Sequence, residues 1–327
     1  MSEGNLTTGD FKLSQLSSGP TDPPWAIAVF AHNEAKTIQR ALESIITAIG
    51  NQDISIYVLA NGCTDTTIER VHQSAANINN LWLLESKVAD KASAWNLFVH
   101  EVLSNNRLAG LDICFFMDGD VTLAVDALEL LAAALEQVPS AEAAGAMPAT
   151  GRNKDAWRQR MPISGMLAGN CYALRSSFIQ QIRERPVRMP VGLIGEDFFV
   201  SWLVASNVWR KQLTKDEDVR CIFHKEAEFA FRSLSPWSLT DCRTYMRRKW
   251  RYTLRGLQHQ MLILLLMRQG LEAMPRNVSE LYQKGPLPSR LSWCGSDTLL
   301  RFIAVLWIRA QRKRSSAEID NLSTYRE

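Results

Sequence analysis

Two groups of carboxylates in this 327-residue chain sit where they could do chemistry. Asp118-Gly119-Asp120 follows the run Ile113-Cys114-Phe115-Phe116-Met117, so it falls at the end of a buried strand. Hard oxygen ligands at such a place could hold Mg²⁺ or Mn²⁺ against a diphosphate. Two carboxylates this close repel unless a cation or donors compensate, and a turn with a helix N-cap is the plainer use of the same residues. The triplet alone is cheap, since Asp216-Glu217-Asp218 repeats it in a charged, loop-like stretch. The second group is Gly195-Glu196-Asp197, directly before the apolar Phe198-Phe199-Val200-Ser201-Trp202-Leu203. The helix dipole favours a carboxylate there whatever its job; in a cleft, one of the pair could serve as general base on a hydroxyl.

The elements that must position these residues alternate. Trp25–Ala31, Ile54–Ala60, Leu81–Glu85 and Ile113–Met117 read as buried strands, and Glu34–Gly50, Thr64–Ala76, Asp90–Ser104 and Val121–Val138 as helices. Repeated strand-helix units predict an α/β fold: a single Rossmann-like, mixed, mostly parallel sheet flanked by helices. Ligands of such sheets bind beyond the carboxyl ends of the strands. Further on, Gly151–Arg160 is expected to be a mobile loop, Ser176–Glu184 and Asp197–Ser206 helices, and Val219–His224 and Glu228–Phe231 strands. Beyond Pro236 the chain becomes helical and basic, and a boundary is placed near residue 232.

The strand ends carry further polar residues: Ala31-His32-Asn33-Glu34 after the first, Asn61-Gly62-Cys63-Thr64-Asp65 after the second, and Asp90-Lys91 after the third. Converging at one sheet edge, they would make a polar cleft. Asp65 or Thr64 is equally suited to cap the next helix, and Lys91 to be a phosphate contact or a solvated lysine. Neither G-x-x-x-x-G-K-[ST] nor a G-x-G-x-x-G after the first strand is present, which argues against a P-loop hydrolase and a nicotinamide dehydrogenase.

Taken in order, these clusters resemble the family 2 glycosyltransferases of GT-A fold, from about Ile27 to Gly256. Ala28-Val29-Phe30-Ala31-His32-Asn33-Glu34 resembles the family's first-strand motif, Asn61-Gly62-Cys63-Thr64-Asp65-Thr66-Thr67 its Asp-Gly-Ser-Thr-Asp-x-Thr, and Asp90-Lys91-Ala92-Ser93-Ala94-Trp95-Asn96 its Gly-Lys-x-x-Ala-x-Asn. Asp118-Gly119-Asp120 resembles its metal-binding D-x-D, Gly169–Arg175 its strand before the acceptor site, and Gly195-Glu196-Asp197 its Glu-Asp motif. The resemblance implies inverting transfer of a sugar from a nucleotide diphosphate donor to a hydroxyl of a glycan or lipid-linked acceptor, in cell-surface glycan or glycolipid synthesis. Asp197 would be the base with Glu196 beside it, and Asp120 with Asp118 would hold Mg²⁺ or Mn²⁺. Ala31, His32, Asn33, Glu34, Asn61, Asp65, Lys91, Asp118 and Gly119 would line the nucleotide-sugar pocket, and Arg247, Arg248 and Trp250 are candidates for diphosphate or acceptor contacts. Three departures stand out. His32 replaces the usual Tyr. Asn61 stands where many members carry an Asp that accepts from uracil, which weakens the inference to a UDP-sugar. Met246 and Lys249 occupy two places of the Gln-x-x-Arg-Trp of processive members, against a polymerising synthase.

The net charge of +3 conceals an uneven distribution, because residues 232–327 hold 17 Lys+Arg against 7 Asp+Glu, leaving 20 against 27 in the remainder. Such asymmetry points to an anionic partner for the basic end. Arg243, Arg247, Arg251 and Arg255 form one helical stripe, interleaved by Tyr245, Trp250 and Tyr252. Leu299–Ile308 followed by Arg309, Arg312, Lys313 and Arg314 could lie in a membrane interface or dock on the core. The alternatives to a transferase are a catalytically silent module binding membrane or nucleic acid through this tail, or a sugar nucleotidyltransferase. Nucleic acid is disfavoured because a silent module has no need of Asp118, Asp120, Glu196 and Asp197 together. The six cysteines are scattered singly, as in a reduced, cytoplasmic protein. The longest apolar runs have seven residues, short of a membrane span, so attachment would be peripheral, at the inner face of a membrane. Residues 1–24 are expected to be a disordered polar leader, 25–231 the catalytic domain and 232–327 a helical extension.

Overall fold

The computed structural model describes residues 5–7, 11–103, 105–185, 187–209, 219–233, 235, 237–287 and 297–324, and side chains throughout these except 5–7, 105–106 and 314–324. Ten strands form one sheet: β1 (Asn5–Thr7), β2 (Phe11–Gln15), β3 (Trp25–Ala31), β4 (Ile54–Asn61), β5 (Leu81–Ser86), β6 (Ile113–Asp118), β7 (Val121–Leu123), β8 (Ala143–Pro148), β9 (Cys171–Arg175) and β10 (Cys221–Phe231). The helices are α1 (Ile38–Ala48), α2 (Thr67–Ser74), α3 (Lys91–Leu97), α4 (Asn105–Ala109), α5 (Ala127–Gln137), α6 (Lys154–Ser164), α7 (Ser176–Glu184), α8 (Glu196–Ala205), α9 (Leu239–Gln269), α10 (Val278–Lys284) and α11 (Thr298–Thr324).

The sheet order is β1-β2-β5-β4-β3-β6-β9-β8-β10-β7. Its middle, β5-β4-β3-β6, is parallel, so four carboxyl ends meet at one edge. Register brings Phe30 opposite Asp118 and Asn61 opposite Ser86. These strands read as continuous apolar runs because both faces are covered. On one face Ile27, Val29, Ile56, Val58 and Phe115 pack with Leu42 and Ile45 of α1 and Leu131 of α5. On the other, an aromatic stack lies under the site: Phe116 against Tyr172 (4.9 Å between centroids, 11° between planes) and against Trp95 (6.1 Å), whose Nε1 donates to the Tyr172 hydroxyl at 3.2 Å.

Several expectations are corrected. The polar leader is not wholly disordered: β2 pairs antiparallel with β5, burying Phe11 and Leu13, two alternate residues whose signal the surrounding Ser, Thr and Gly obscure. Val121–Val138 is not one helix. Val121–Leu123 forms β7 against β10, and α5 begins only after Asp126, whose φ of 57° breaks the chain direction. The expected loop at 151–160 is instead mostly α6, whose Arg158 donates to Glu228 at 2.5 Å and to the Lys225 carbonyl at 2.7 Å; long-range ties of this kind are invisible to local propensity. The helix expected over Asp90–Ser104 passes from α3 into a π-helical turn at Phe98–Val102, and the two strands expected between 219 and 231 are one, β10, irregular between Phe223 and Glu228. Asp216-Glu217-Asp218 lies outside the described residues.

By contacts the chain divides into two units, Met1–Pro186 with Asp197–Ser233, and Val187–Glu196 with Leu234–Glu327. The second consists of α9, α10 and α11 with the segment before Asp197. Ser238 caps α9 by accepting from Asp241 N (3.3 Å), and Asn277 caps α10 by accepting from Glu280 N (2.9 Å). Leu257, Met261, Leu262 and Leu266 of α9 are buried, as are Leu281 of α10 and Ala304 and Ile308 of α11. Arg312 donates to the carbonyls of Tyr282 and Gly285 at 2.6 Å, satisfying the end of α10. No helix among the described residues is long and apolar enough to cross a membrane.

Candidate active site at the strand ends

The β3 and β4 ends are laced together. Asn33 adopts φ 60°, and its Oδ1 accepts from Thr64 N (2.8 Å) and Asp65 N (3.2 Å). His32 Nδ1 bonds the Asn61 carbonyl at 2.7 Å. Glu34 N donates to Thr67 Oγ1 (2.7 Å), and Asp65 accepts from Ala35 N and from Thr67 N and Oγ1 at 3.2, 3.0 and 2.5 Å. Asp65 thus serves the start of α2 and ties it to the β3 loop. Slight burial works against its charge, but the bonds from Thr67 and Ala35 outweigh this and lower its pKa. Thr67, fully buried at the centre of this lacing, was not singled out from sequence; it stands three residues after a capping candidate, which is the signal available.

Burial raises the Glu34 carboxyl above its ordinary value; the Thr37 hydrogen bond opposes this, while the charges of Asp120 and Asp65 add to it. Asp120 therefore lies within electrostatic reach of Glu34. Gly119 fixes the turn between Asp118 and Asp120: its N donates to the Phe30 carbonyl at 2.8 Å, and a Cβ built on it would stand 2.9 Å from that same oxygen. Only glycine lets the acidic turn lie this close to β3.

A third set of contacts brings the two carboxylate groups together. Lys91, opening α3 behind the cap made by Asp90 on Ser93 N (2.7 Å), reaches Asp118 Oδ1 at 2.5 Å and lies over the Phe30 ring, 4.8 Å from its centroid. The Lys91 ammonium also approaches the Gly169 carbonyl (3.4 Å), and Gly169 N donates to Asp197 Oδ2 at 2.9 Å. Asp197 is 7% exposed; its Oδ1 accepts from Phe198 N at 2.9 Å, and Ser201 Oγ joins the Asp197 carbonyl (2.7 Å) to Leu167 N (2.9 Å). Gly169 and Ser201 are hydrogen-bonding neighbours of Asp197 that sequence reading left without a role. Glu196, 4% exposed, begins α8 one residue before.

Asn61 is turned inward. It is 4% exposed, and its amide nitrogen is the atom facing the carbonyls of Ala31 (2.8 Å) and Leu59 (3.2 Å), so it bonds the sheet. Ala31 is likewise buried, and its carbonyl is taken by the Asn61 amide and by the Cys63 thiol at 3.4 Å. Arg247, Arg248 and Trp250 lie on α9 of the second unit, where Trp250 packs edge-on against Trp307 at 6.2 Å. In that unit Gly195, at φ 83°, makes room for Arg255: a Cβ there would fall on the guanidinium.

The donors at this edge suit a hard divalent cation. They are carboxylates: Asp118 and Asp120 flank the turn, and Asp120 and Asp65 add charge repulsion to the burial that raises Glu34. No three His, Cys, Asp or Glu among the described residues could hold an ion by themselves. A pair such as Asp118 and Asp120 matches Mg²⁺ or Mn²⁺ sites completed by substrate phosphates.

An α/β protein whose carboxylates and lysine converge at the ends of parallel strands is a candidate for nucleotide-dependent chemistry. The family model described as "Glycosyl transferase family 2" matches residues 26–194, and the chain belongs to this family. The structure is similar to the mannosyltransferase PcManGT from Pyrobaculum calidifontis, solved with GDP-Man and Mn²⁺, with a TM-score of 0.54 and 15% identity over 94% of this chain and 82% of that one. The architecture is the GT-A glycosyltransferase fold. Also similar are glucosyl-3-phosphoglycerate synthase from Mycobacterium tuberculosis (TM-score 0.45, 16% identity, 71% of this chain and 80% of that one) and S. aureus TarS 1–349 (TM-score 0.46, 14% identity, 88% and 87%). No curated protein matches the sequence.

Proposed function

We propose that the protein moves a sugar from a nucleoside diphosphate donor to an acceptor hydroxyl with inversion, at the edge formed by β3, β4, β5 and β6. The observation carrying this reading is the chain of contacts from Asp118 through Lys91 and Gly169 to Asp197, which sets a buried carboxylate beside the acidic turn. A hydroxyl is a poor nucleophile and a diphosphate a highly charged leaving group, so the site has two tasks. Asp197, held in one rotamer by Gly169 N and Phe198 N, accepts the acceptor's proton as its oxygen attacks the anomeric carbon. The new glycosidic bond forms as the bond to the diphosphate oxygen breaks on the opposite face. Asp120 and Asp118 would hold a Mg²⁺ or Mn²⁺, which when bound would supply Lewis-acid stabilisation to the departing diphosphate. PcManGT holds GDP-Man with Mn²⁺ on a similar fold, which supports this assignment.

His32, Asn33, Glu34, Asp65 and Lys91 line the nucleotide side, with Glu196 supporting the base. The inward amide of Asn61 weighs against recognition of uracil through that side chain, so UDP is only the first donor to try. The acceptor is a glycan or a lipid-linked hydroxyl of cell-surface synthesis, met on the cytoplasmic side. The test is a panel of UDP-, GDP- and dTDP-sugars with Mn²⁺ or Mg²⁺, scored for binding, hydrolysis and transfer. Asp120→Ala should weaken metal-dependent donor binding, and Asp197→Asn should lower turnover by about 10²–10⁴-fold while leaving donor binding intact. A wild-type protein that binds no member of the panel with either metal ends the proposal.

A further inference from the structure

The second unit buries the inner side of α11 in the ordinary way. Ala304, Val305 and Ile308 are 0, 5 and 0% exposed, at the spacing of one helical face. The opposite side should then be polar. It carries instead Leu299, Phe302, Ile303 and Leu306, which are 68, 44, 45 and 45% exposed and recur at i, i+3, i+4 and i+7. Arg309 and Lys313, both exposed, continue the same side over the next two turns. The helix is thus apolar on both faces, with a row of cations closing the outer one.

We propose that this outer face of α11 docks on an anionic lipid surface. An exposed row of Leu, Phe and Ile is stabilised by leaving water, which hydrocarbon at a bilayer interface permits. The guanidinium and ammonium at its end are stabilised by anionic headgroups, their stems lying along the apolar boundary. Charge selects this occupant over a second copy of the chain: residues 232–327 carry 17 Lys+Arg against 7 Asp+Glu, so pairing two such faces brings like charges together. A nucleic acid would satisfy the cations and leave the apolar row wet. The inference does not rest on the transfer reaction, because vesicle binding needs neither donor nor metal.

The test uses the full chain with phosphatidylcholine vesicles prepared with and without phosphatidylglycerol, read by co-sedimentation, alongside light scattering for mass in solution. The expected result is a monomer that binds the anionic vesicles about tenfold or more tighter than the neutral ones. Phe302→Glu/Leu306→Glu should abolish binding, and Arg309→Glu/Lys313→Glu should remove the preference for anionic lipid, with the circular dichroism of each variant unchanged. The wild-type comparison stands even if a variant misfolds. Absence of binding to either vesicle overturns the proposal. So does a dimer that Phe302→Glu/Leu306→Glu converts to monomer, which would assign the face to a second copy.

Discussion

Replacing Gly119 with alanine tests the acidic turn at the point where the geometry is tightest. The added Cβ would stand 2.9 Å from the Phe30 carbonyl oxygen and 3.3 Å from Ile38 Cδ1, where ordinary contact begins near 3.4 Å. The oxygen belongs to the middle of the sheet and cannot yield, so the turn itself must retreat by roughly half an ångström. Overpacking of this kind costs about 1–3 kcal/mol, or several degrees of Tm in a domain of this size. The retreat also moves Asp118 and Asp120. Because about 1 Å of misplacement can cost on the order of 100-fold in rate, half of it should cost about tenfold, beyond any loss from unfolding. The control is Gly256 on α9, where a Cβ meets nothing within 4 Å. Gly256→Ala should stabilise by up to about 1 kcal/mol. Thermal melts of both variants, with transfer measured well below either Tm, give opposite signs if the geometry is right. A Gly119→Ala protein with wild-type Tm and turnover would refute the reasoning.

Lys91→Met removes the partner of Asp118 and should raise the donor KM about tenfold while changing stability by about 1 kcal/mol or less, since both groups are partly solvated; a large fall in Tm with KM unchanged would make Lys91 structural. Phe116→Ala opens the stack between Trp95 and Tyr172 and should cost about 3–5 kcal/mol in urea denaturation. Burial raises the Tyr282 hydroxyl, with the Gln258 bond opposing. Its folded pKa therefore lies above the unfolded value of about 10, so the stability it contributes is complete below that pH and is lost as pH rises through the folded value. Melts across this range should show a slope that Tyr282→Phe removes. Burial, with the Asp118 charge adding to it, raises the Cys171 thiol to about 12; it should resist alkylation in the native state near neutral pH and react once the chain is unfolded.

How much of this was legible from residues alone depended on the range of the interaction. The parallel strands were visible because Trp25–Ala31 and Ile113–Met117 are unbroken apolar runs and Ile54–Ala60 is interrupted only by Ser55, and a strand buried on both faces needs little else. Order along the chain then placed the polar clusters at one edge. Side-chain direction was not legible. Asn61 reads as a cleft residue, yet a carbonyl of the neighbouring strand β3 (Ala31) and one of its own strand (Leu59) claim its amide. The link from Asp118 through Lys91 and Gly169 to Asp197 spans more than 100 positions and depends on where α3 starts relative to β9, which periodicity does not encode. The two errors at Val121–Leu123 and 151–160 share a cause. Both segments are settled by β10, a strand far along the chain that pairs with β7 and holds Arg158.

The strand β2 bears on where the folded protein starts. The family match opens at residue 26, yet Phe11–Gln15 occupies the outer side of β5, with β1 pairing beyond it in turn. Cutting the chain at the family boundary would bare the backbone donors and acceptors of Leu81, Leu83 and Glu85 along an apolar strand, the arrangement that recruits strands from other molecules. The stretch before the first motif thus works as a built-in guard against self-association, and a shortened protein should be judged first by its solubility and only then by its turnover.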